Sequence, residues 1–187
     1  MTITATVSKL HSCLLILLSL CICSCGSLEQ SSDDVDNAKQ TMDAQGVLFK
    51  RSNLVVSDMD RSLTIYRDIL GFTLNSAIET SDSDSYSYPV FKIPKSAKIR
   101  FVTMDTQAQE RTLALTEVTG YELPKPSIPL MSALVIKVDD IIATIEKISA
   151  LGLETTAIKL VPGESYNYKE QAFVDFDGHL IVLYELY

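Results

Sequence analysis

The chain has 187 residues, which is enough for one domain of medium size. Its 24 Asp and Glu residues outnumber its 16 Lys and Arg residues, and the formal charge is −8. This charge argues against a nucleic-acid-binding protein, because such a protein needs a basic face for phosphates. All four cysteines lie in the first 25 residues, so the rest of the chain has no disulfide framework, no thiolate metal cluster and no cysteine nucleophile.

An apolar run of 11 residues, from Cys13 to Cys23, dominates the first part of the chain. It is too short for a membrane-spanning helix, which needs about 20 residues, and has the length of a signal-peptide core. The stretch Ile22-Cys23-Ser24-Cys25 at its end resembles a bacterial lipobox. This resemblance implies that residues 1–24 are a lipoprotein signal peptide and that Cys25 is acylated and becomes the mature N-terminus. The alternative is an ordinary signal peptide.

Residues 25–46 are polar and acidic, and they predict a flexible, lipid-anchored tether. After removal of residues 1–24, 15 Lys and Arg remain against 24 Asp and Glu, a charge of −9. Anionic lipid repels a negative body, so we expect the anchor, and not the protein surface, to hold the chain at the membrane. The predicted location is the cell envelope. Gly26 after the lipid cysteine favours the periplasmic face of the outer membrane.

Residues 47–187 predict the folded domain, and its first unit covers residues 48–120. The strand Ser52–Val56 precedes apolar residues at helical spacing, with Ser57 as the expected N-cap and Gly71 at the helix end. Strand-like stretches follow at residues 72–79, 98–104 and 112–118.

The second unit, residues 131–187, repeats this order. A strand at residues 133–138 precedes a helix that ends at Gly152, and strand-like stretches follow at residues 154–160, 171–176 and 180–184. Three prolines among residues 121–130 exclude a central strand and predict a linker. The repeated order of strand, helix and three strands predicts an α+β fold of two βαβββ units.

Two segments carry a family resemblance. Residues 54–72 resemble the first strand and helix of the vicinal oxygen chelate superfamily, and residues 173–185 resemble its closing hairpin, with Phe176 in place of the usual proline. The superfamily includes glyoxalase I, extradiol dioxygenases, fosfomycin-resistance enzymes and bleomycin-binding proteins. The resemblance implies curled, mixed sheets around a cavity, and either a domain-swapped homodimer or two units closed on each other in one chain.

Metal-using members of this superfamily place four ligands in the cavity, and the resemblance assigns these places to four residues of this chain. They are Arg51, Ala114, Ala133 and Val182. None of the four side chains has a lone pair for a cation. A zinc or hard-cation site needs about three protein ligands, so we expect no metal and no cofactor. Strand alternation turns the nearest carboxylates, Glu117 and Glu185, to the opposite face.

The same alternation predicts which side chains point into the cavity. Along the strands, one set of alternate residues is uniformly apolar, and we expect it to pack against the helices as the core. The other set carries the cations Arg51 and Lys137, which suit a small anionic or amphipathic ligand. The alternative is that both cations extend along a rim. The full set of expected ligand-binding residues is Arg51, Asn53, Arg100, Lys137, Tyr166, Tyr168 and Tyr184. His179 beside Asp175, Asp177 and Gly178 predicts a turn residue.

Three functions fit these patterns. The first is metal-independent binding of a small molecule by a membrane-anchored domain. The second is an enzyme, either a glyoxalase-type lyase or isomerase with non-standard residues or an acid–base enzyme that uses Glu117, Asp175 or Tyr184. The third is an interaction domain of the envelope with a vestigial cavity. The replacement of all four ligand residues favours the first.

Overall fold

The computed structural model describes residues 46–163 and 165–187, and residues 48–187 form one compact unit. The predicted signal peptide, Cys25 and nearly all of the predicted tether lie outside the described residues. Among the residues described, no helix has the length and apolar character that crossing a bilayer requires.

The first unit forms one sheet with short helices. Its elements are β1 (Ser52–Val56), α1 (Met59–Leu63), a π-helical continuation of α1 (Thr64–Ile69), β2 (Thr73–Leu74), β3 (Glu79–Thr80), α2 (Ser87–Val90), β4 (Lys98–Asp105) and β5 (Leu113–Thr119). The sheet order is β1-β5-β4-β2, and β3 also pairs with β4. The strands β1 and β5 are parallel, and the other pairs are antiparallel.

The second unit repeats this arrangement. Its elements are β6 (Ala133–Lys137), α3 (Ile141–Ala150), β7 (Lys159–Val161), β8 (Tyr168–Val174) and β9 (Leu180–Leu186). The sheet order is β6-β9-β8-β7, with β6 parallel to β9. In both units the first strand therefore lies parallel to the last, and the predicted α+β fold of two βαβββ units is confirmed.

The expected N-cap of α1 is wrong by one residue. The carboxylate of Asp58 accepts the hydrogen bond from the Arg61 amide at 2.9 Å, and Asp140 does the same for Ala143 at the start of α3. The Ser57 hydroxyl is not available as a cap, because it donates to Asp177 Oδ1 at 2.5 Å.

The strand predicted at residues 72–79 is also wrong, since it divides into the short strands β2 and β3. Between them, the Asn75 side chain donates to Asp105 at 2.9 Å, and the Asn75 amide donates to the Thr103 carbonyl at 2.9 Å. Polar side chains that bind nearby backbone or side chains compete with a regular ladder. The stretch at residues 154–160 contributes only a bridge at Thr155 and the start of β7.

The main core lies between the helices and one face of each sheet. The alternate apolar residues that the sequence predicted for the core pack there, which confirms that prediction. They are Leu54, Val56, Leu134, Ile136, Val138, Ile181 and Leu183. From the helices come Met59, Leu63, Ile141, Ile145 and Ile148. Full burial of such a side chain contributes about 1.5–3 kcal/mol. The opposite face of each sheet, which we call the far face, remains for a site.

A second, smaller cluster covers one end of the far face of the first sheet. Tyr88 and Ile93, from the segment between β3 and β4, pack over Ile99 and Val118. The buried Tyr88 hydroxyl donates to the Ala97 carbonyl at 3.1 Å and so satisfies its polar atom. This end of the far face is therefore filled by the chain itself.

Candidate functional site

The far face of the first sheet has a buried polar floor. Asn53 on β1 lies beside Ala114 and Thr116 on β5, and the Thr116 hydroxyl donates to Asn53 Oδ1 at 2.8 Å. Ala114 and Thr116 are fully buried. Phe101 on β4 lies opposite Thr116, and the guanidinium of Arg51 stands 5.9 Å from the centre of its ring. The result is one cation over an aromatic ring, next to an amide and a hydroxyl.

Arg51 is half-buried and has no carboxylate within ion-pair distance among the described residues. Arg61, Arg67 and Arg100, by contrast, each have a carboxylate partner. A guanidinium that loses water without gaining a counter-ion is ready to bind an anion.

The far face of the second sheet carries a row of polar side chains. The register places Lys137 on β6 beside Tyr184 on β9, Tyr184 beside Glu170 on β8, and Glu170 beside Lys159 on β7. Lys137 is exposed, and its ammonium lies 3.6 Å from Asp139. Glu170 was not among the predicted far-face residues, because the expected strand began at Gln171, whereas β8 begins at Tyr168. Strand alternation over the full length of β8 places Glu170 on the far face.

The predicted ligand-binding residues form two groups. Arg51 directly precedes β1 and Asn53 lies on it, whereas Lys137, Tyr168 and Tyr184 lie on the far face of the second sheet. No ladder joins the two sheets in the described part of the chain. Tyr166 precedes β8 and is exposed. The structure thus places Arg51 with Asn53, and Lys137 with Tyr168 and Tyr184, but not the two groups with each other.

Arg100 lies on the wrong face for the predicted site. The register pairs it with Glu117, whereas the next residue, Phe101, pairs with Thr116 on the far face. The guanidinium of Arg100 binds Glu117 through two hydrogen bonds of 2.5 and 2.7 Å. Strand alternation separates neighbouring residues to opposite faces, so Arg100 belongs to the face that carries α1.

Glu117 and Glu185 have the same structural role in the two units. Glu117 accepts from the Met59 amide at 2.8 Å at the start of α1, and Glu185 accepts from the Ile141 amide at 2.9 Å at the start of α3. Each also binds a cation on the neighbouring antiparallel strand, Arg100 or Lys169. These contacts lower the pKa of both carboxyls, chiefly through the hydrogen bond from the cation. The prediction that both face the helices is confirmed.

Glu117→Gln tests this role through pH. The folded state lowers the pKa of Glu117 below its ordinary 4.5, so its contribution to stability is present above that pH and is lost as pH falls through the folded value. We expect the variant to lose about 1–2 kcal/mol of unfolding free energy at pH 7, because Arg100 loses a charged partner but stays partly hydrated. Urea titrations should show this difference shrinking below pH 4.5; a difference constant to pH 3 would contradict it.

The turn between β8 and β9 joins the two units. Asp175 is buried and accepts from the Tyr66 hydroxyl at 2.7 Å and from the amides of Asp177 and His179 at 3.0 and 2.8 Å. Burial and the carboxylate of Asp175 raise the pKa of Tyr66. His179 Nε2 donates to the Val55 carbonyl at 2.9 Å. The turn prediction for His179 is therefore confirmed, and Asp175 has three structural partners.

The four positions that the resemblance assigns to metal ligands carry side chains that do not fit a metal. Arg51 is a cation without a lone pair, and Ala114, Ala133 and Val182 have hydrocarbon side chains. Ala114 is fully buried under its neighbours. Within the described ranges, no group of three or more His, Cys, Asp or Glu side chains is placed to hold a metal ion.

Comparison with known proteins gives one family. A family model described as Glyoxalase/Bleomycin resistance protein/Dioxygenase superfamily matches residues 49–183. None of the curated proteins compared matches the chain.

Solved structures share the fold at low sequence identity. A glyoxalase family protein from Bacillus cereus is 16% identical, with a TM-score of 0.61 and coverage of 76% of this chain and 97% of its own. One from Enterococcus faecalis is 18% identical, with a TM-score of 0.51 and coverage of 74% and 97%. A glyoxylase/bleomycin resistance protein/dioxygenase domain from Frankia sp. is 16% identical, with a TM-score of 0.51 and coverage of 75% and 98%.

Proposed function

The chain belongs to the glyoxalase/bleomycin resistance protein/dioxygenase superfamily, and from this premise we propose that it binds a small anionic or amphipathic molecule without a metal ion. The observation that carries this proposal is Arg51, a half-buried cation over Phe101 that has no carboxylate partner in the described part of the chain. An anionic group of a ligand would supply the missing counter-charge.

The surroundings of Arg51 suit a ligand with both a polar and an apolar part. The half-buried Asn53 amide, held by the buried Thr116 hydroxyl, offers a hydrogen-bonding group, and Phe101 offers a flat apolar surface. Small-molecule sites are mostly apolar, with a few polar groups that orient the ligand. On the second sheet, Lys137 and Tyr184 offer a similar combination of cation and aromatic ring.

The side chains around the expected ligand positions support binding of a small molecule without a metal ion. Glu117 and Glu185, the carboxylates close in sequence to Ala114 and Val182, hold the starts of α1 and α3 and are bound to cations. The same contacts weaken the acid–base alternative. Of its three candidate groups, Glu117 and Asp175 are occupied by structural hydrogen bonds, and Tyr184 alone lies on a far face.

A thermal-shift screen tests the proposal. The full chain is heated with anionic and aromatic small molecules in the presence of a chelator. We expect at least one of them to raise the melting temperature, because a ligand that binds only the folded state stabilises it by mass action. If no molecule shifts the transition in chelator, and a metal salt restores a shift, metal-independent binding is wrong. If none shifts it in either condition, an interaction domain explains the far face better.

Attachment to the cell envelope through acylated Cys25 and assembly as a homodimer are further parts of this proposal. The lipobox resemblance of residues 22–25 supports the first, and the family resemblance supports the second. Incorporation of a fatty-acid analogue at Cys25 tests the anchor, and light scattering tests the dimer.

A further inference from the structure

We propose that Arg111 is a second anion-binding residue on the far face of the first sheet, and that the ligand of this face is a small dianion. One anionic group of the ligand binds Arg51 and the other binds Arg111. This inference rests on the proposed binding function. It narrows the ligand from any small anionic or amphipathic molecule to one with two anionic groups, such as two carboxylates.

Arg111 has a backbone conformation that is rare for a residue with a side chain. Its φ is +51°, in the left-handed region, and its amide donates to Asp105 Oδ1 at 2.6 Å. A residue other than glycine costs free energy in this region, and such residues cluster where a side chain has a functional position. Glycine adopts the same φ without this cost. The turn alone therefore does not account for an arginine at this place.

The turn directs the Arg111 side chain onto the far face. Its Nε donates to Asn75 Oδ1 at 2.8 Å, and the same oxygen lies 3.5 Å from the Thr103 hydroxyl. Thr103 pairs with Ala114, which belongs to the far face. The Asn75 side chain is itself fixed, because it donates to Asp105 Oδ2 at 2.9 Å. Within the described part of the chain, these contacts hold the guanidinium through Nε and leave its two terminal nitrogens for a ligand.

Arg51 and Arg111 start from neighbouring points at one end of the first sheet. The Ser52 amide donates to the Thr112 carbonyl at 3.1 Å, and each arginine directly precedes one residue of this bonded pair. Because both side chains then extend over the far face, their guanidinium groups belong to one surface of the domain.

The two guanidinium groups are also held at neighbouring places. Arg111 is bound to Asn75, and Arg51 stands over the ring of Phe101. The Asn75 amide donates to the Thr103 carbonyl at 2.9 Å, and Phe101 lies two residues before Thr103 on β4. Asn75 and Phe101 are therefore diagonal neighbours on adjacent strands, whose Cα atoms lie about 7–8 Å apart. One small molecule can reach both guanidinium groups.

The acidic residues nearby do not neutralise either guanidinium group. Asp105 uses both oxygens in the hydrogen bonds described above. Glu79 lies on the outer strand β3, and Glu110 is exposed in the loop before Arg111. Among the residues that the structure describes, no carboxylate is within ion-pair distance of the Arg51 or the Arg111 guanidinium. Two guanidinium groups without counter-ions favour a ligand with two negative charges over a ligand with one.

Calorimetric titration of the full chain with matched probes tests this inference. Isophthalate and terephthalate carry two carboxylates at different separations, and the monoamide of each has the same shape with one carboxylate. Their rings also suit the flat surface of Phe101. We expect at least one dicarboxylate to bind about tenfold or more tightly than its monoamide, because a hydrogen bond between two charged groups is stronger than one to a neutral amide.

Two variants separate the Arg111 guanidinium from its backbone and its charge. Arg111→Gly keeps the left-handed turn, so the melting temperature of the free protein should change little, whereas the affinity for the dicarboxylate should fall to that of its monoamide. Lys92→Gly is the matched control. Lys92 also has a left-handed φ, +54°, and is exposed in the segment that covers the other end of the far face. Its replacement should leave both affinities unchanged.

The outcomes distinguish this inference from the function on which it rests. If each dicarboxylate binds no more tightly than its monoamide, and Arg51→Gln weakens both, the proposed function stands and the role of Arg111 is wrong. If Arg111→Gly and Lys92→Gly weaken dicarboxylate binding equally, the effect is one of net charge and the role of Arg111 is again wrong. A thermal-shift screen that finds no ligand of any charge would overturn the proposed function and this inference together.

Discussion

Replacing Asp175 with alanine is expected to lower the unfolding free energy by about 3 kcal/mol or more, because three buried or half-buried donors lose their acceptor and each unsatisfied group costs ~1–3 kcal/mol. These donors are the Tyr66 hydroxyl and the amides of Asp177 and His179. Domains of this size have a total stability of ~5–15 kcal/mol, so the loss would be a large fraction of it. Urea unfolding followed by circular dichroism measures the change.

Two matched variants identify the source of that loss. Asp175→Asn keeps an acceptor oxygen for the turn and should recover most of the stability, whereas Tyr66→Phe removes a single donor and should cost about 1 kcal/mol. Gly178 completes the turn at a φ of +90°, and a Cβ there would collide with Pro126 of the linker. If Asp175→Ala were as stable as the unchanged chain, the hydrogen bonds of Asp175 would contribute nothing to the contact between the two units.

Arg51→Gln is expected to weaken binding of an anionic ligand about tenfold or more, since a charge-assisted hydrogen bond is worth ~1.5–3 kcal/mol. The glutamine keeps a hydrogen-bonding group but removes the charge. The melting temperature of the free protein should change little, because Arg51 has no ion pair to lose in the described part of the chain. Calorimetric titration with a molecule found in the screen measures the affinity.

Arg67→Gln is the control for this experiment. Arg67 is also an arginine of the first unit, but it is bound to Asp68 next to it and is exposed to solvent. Its replacement should leave the affinity unchanged. If both variants weakened ligand affinity equally, the effect would be one of net charge. If Arg51→Gln did not weaken the affinity, the ligand would bind at another face of the domain.

The order of elements was predictable because each unit is bounded by strong local signals. Gly71 and Gly152 have φ values of +79° and +78° at the ends of the helices, a conformation that favours glycine. The alternation of Leu54 with Val56, and of Ile181 with Leu183, identified the core face. These signals depend on residues close in sequence, so the chain alone reveals them.

Long-range pairing was harder to predict. The face of Arg100 depends on the register of β4 against β5, and one residue of shift moves a side chain to the other side of the sheet. The break between β2 and β3 depends on Asn75 meeting Asp105, which is 30 residues away. The partnership of Asp175 with Tyr66 spans 109 residues. Nothing in the local sequence of these residues specifies the partner.

The metal content of the purified, untagged full chain tests the central claim most directly. The claim is that Arg51, Ala114, Ala133 and Val182 replace the metal ligands of the superfamily on the far faces of the sheets. Inductively coupled plasma mass spectrometry should find far less than one transition-metal ion per chain, and dialysis against a chelator should leave ligand affinity unchanged. One tightly bound ion per chain, with ligand affinity lost on its removal, would contradict the claim.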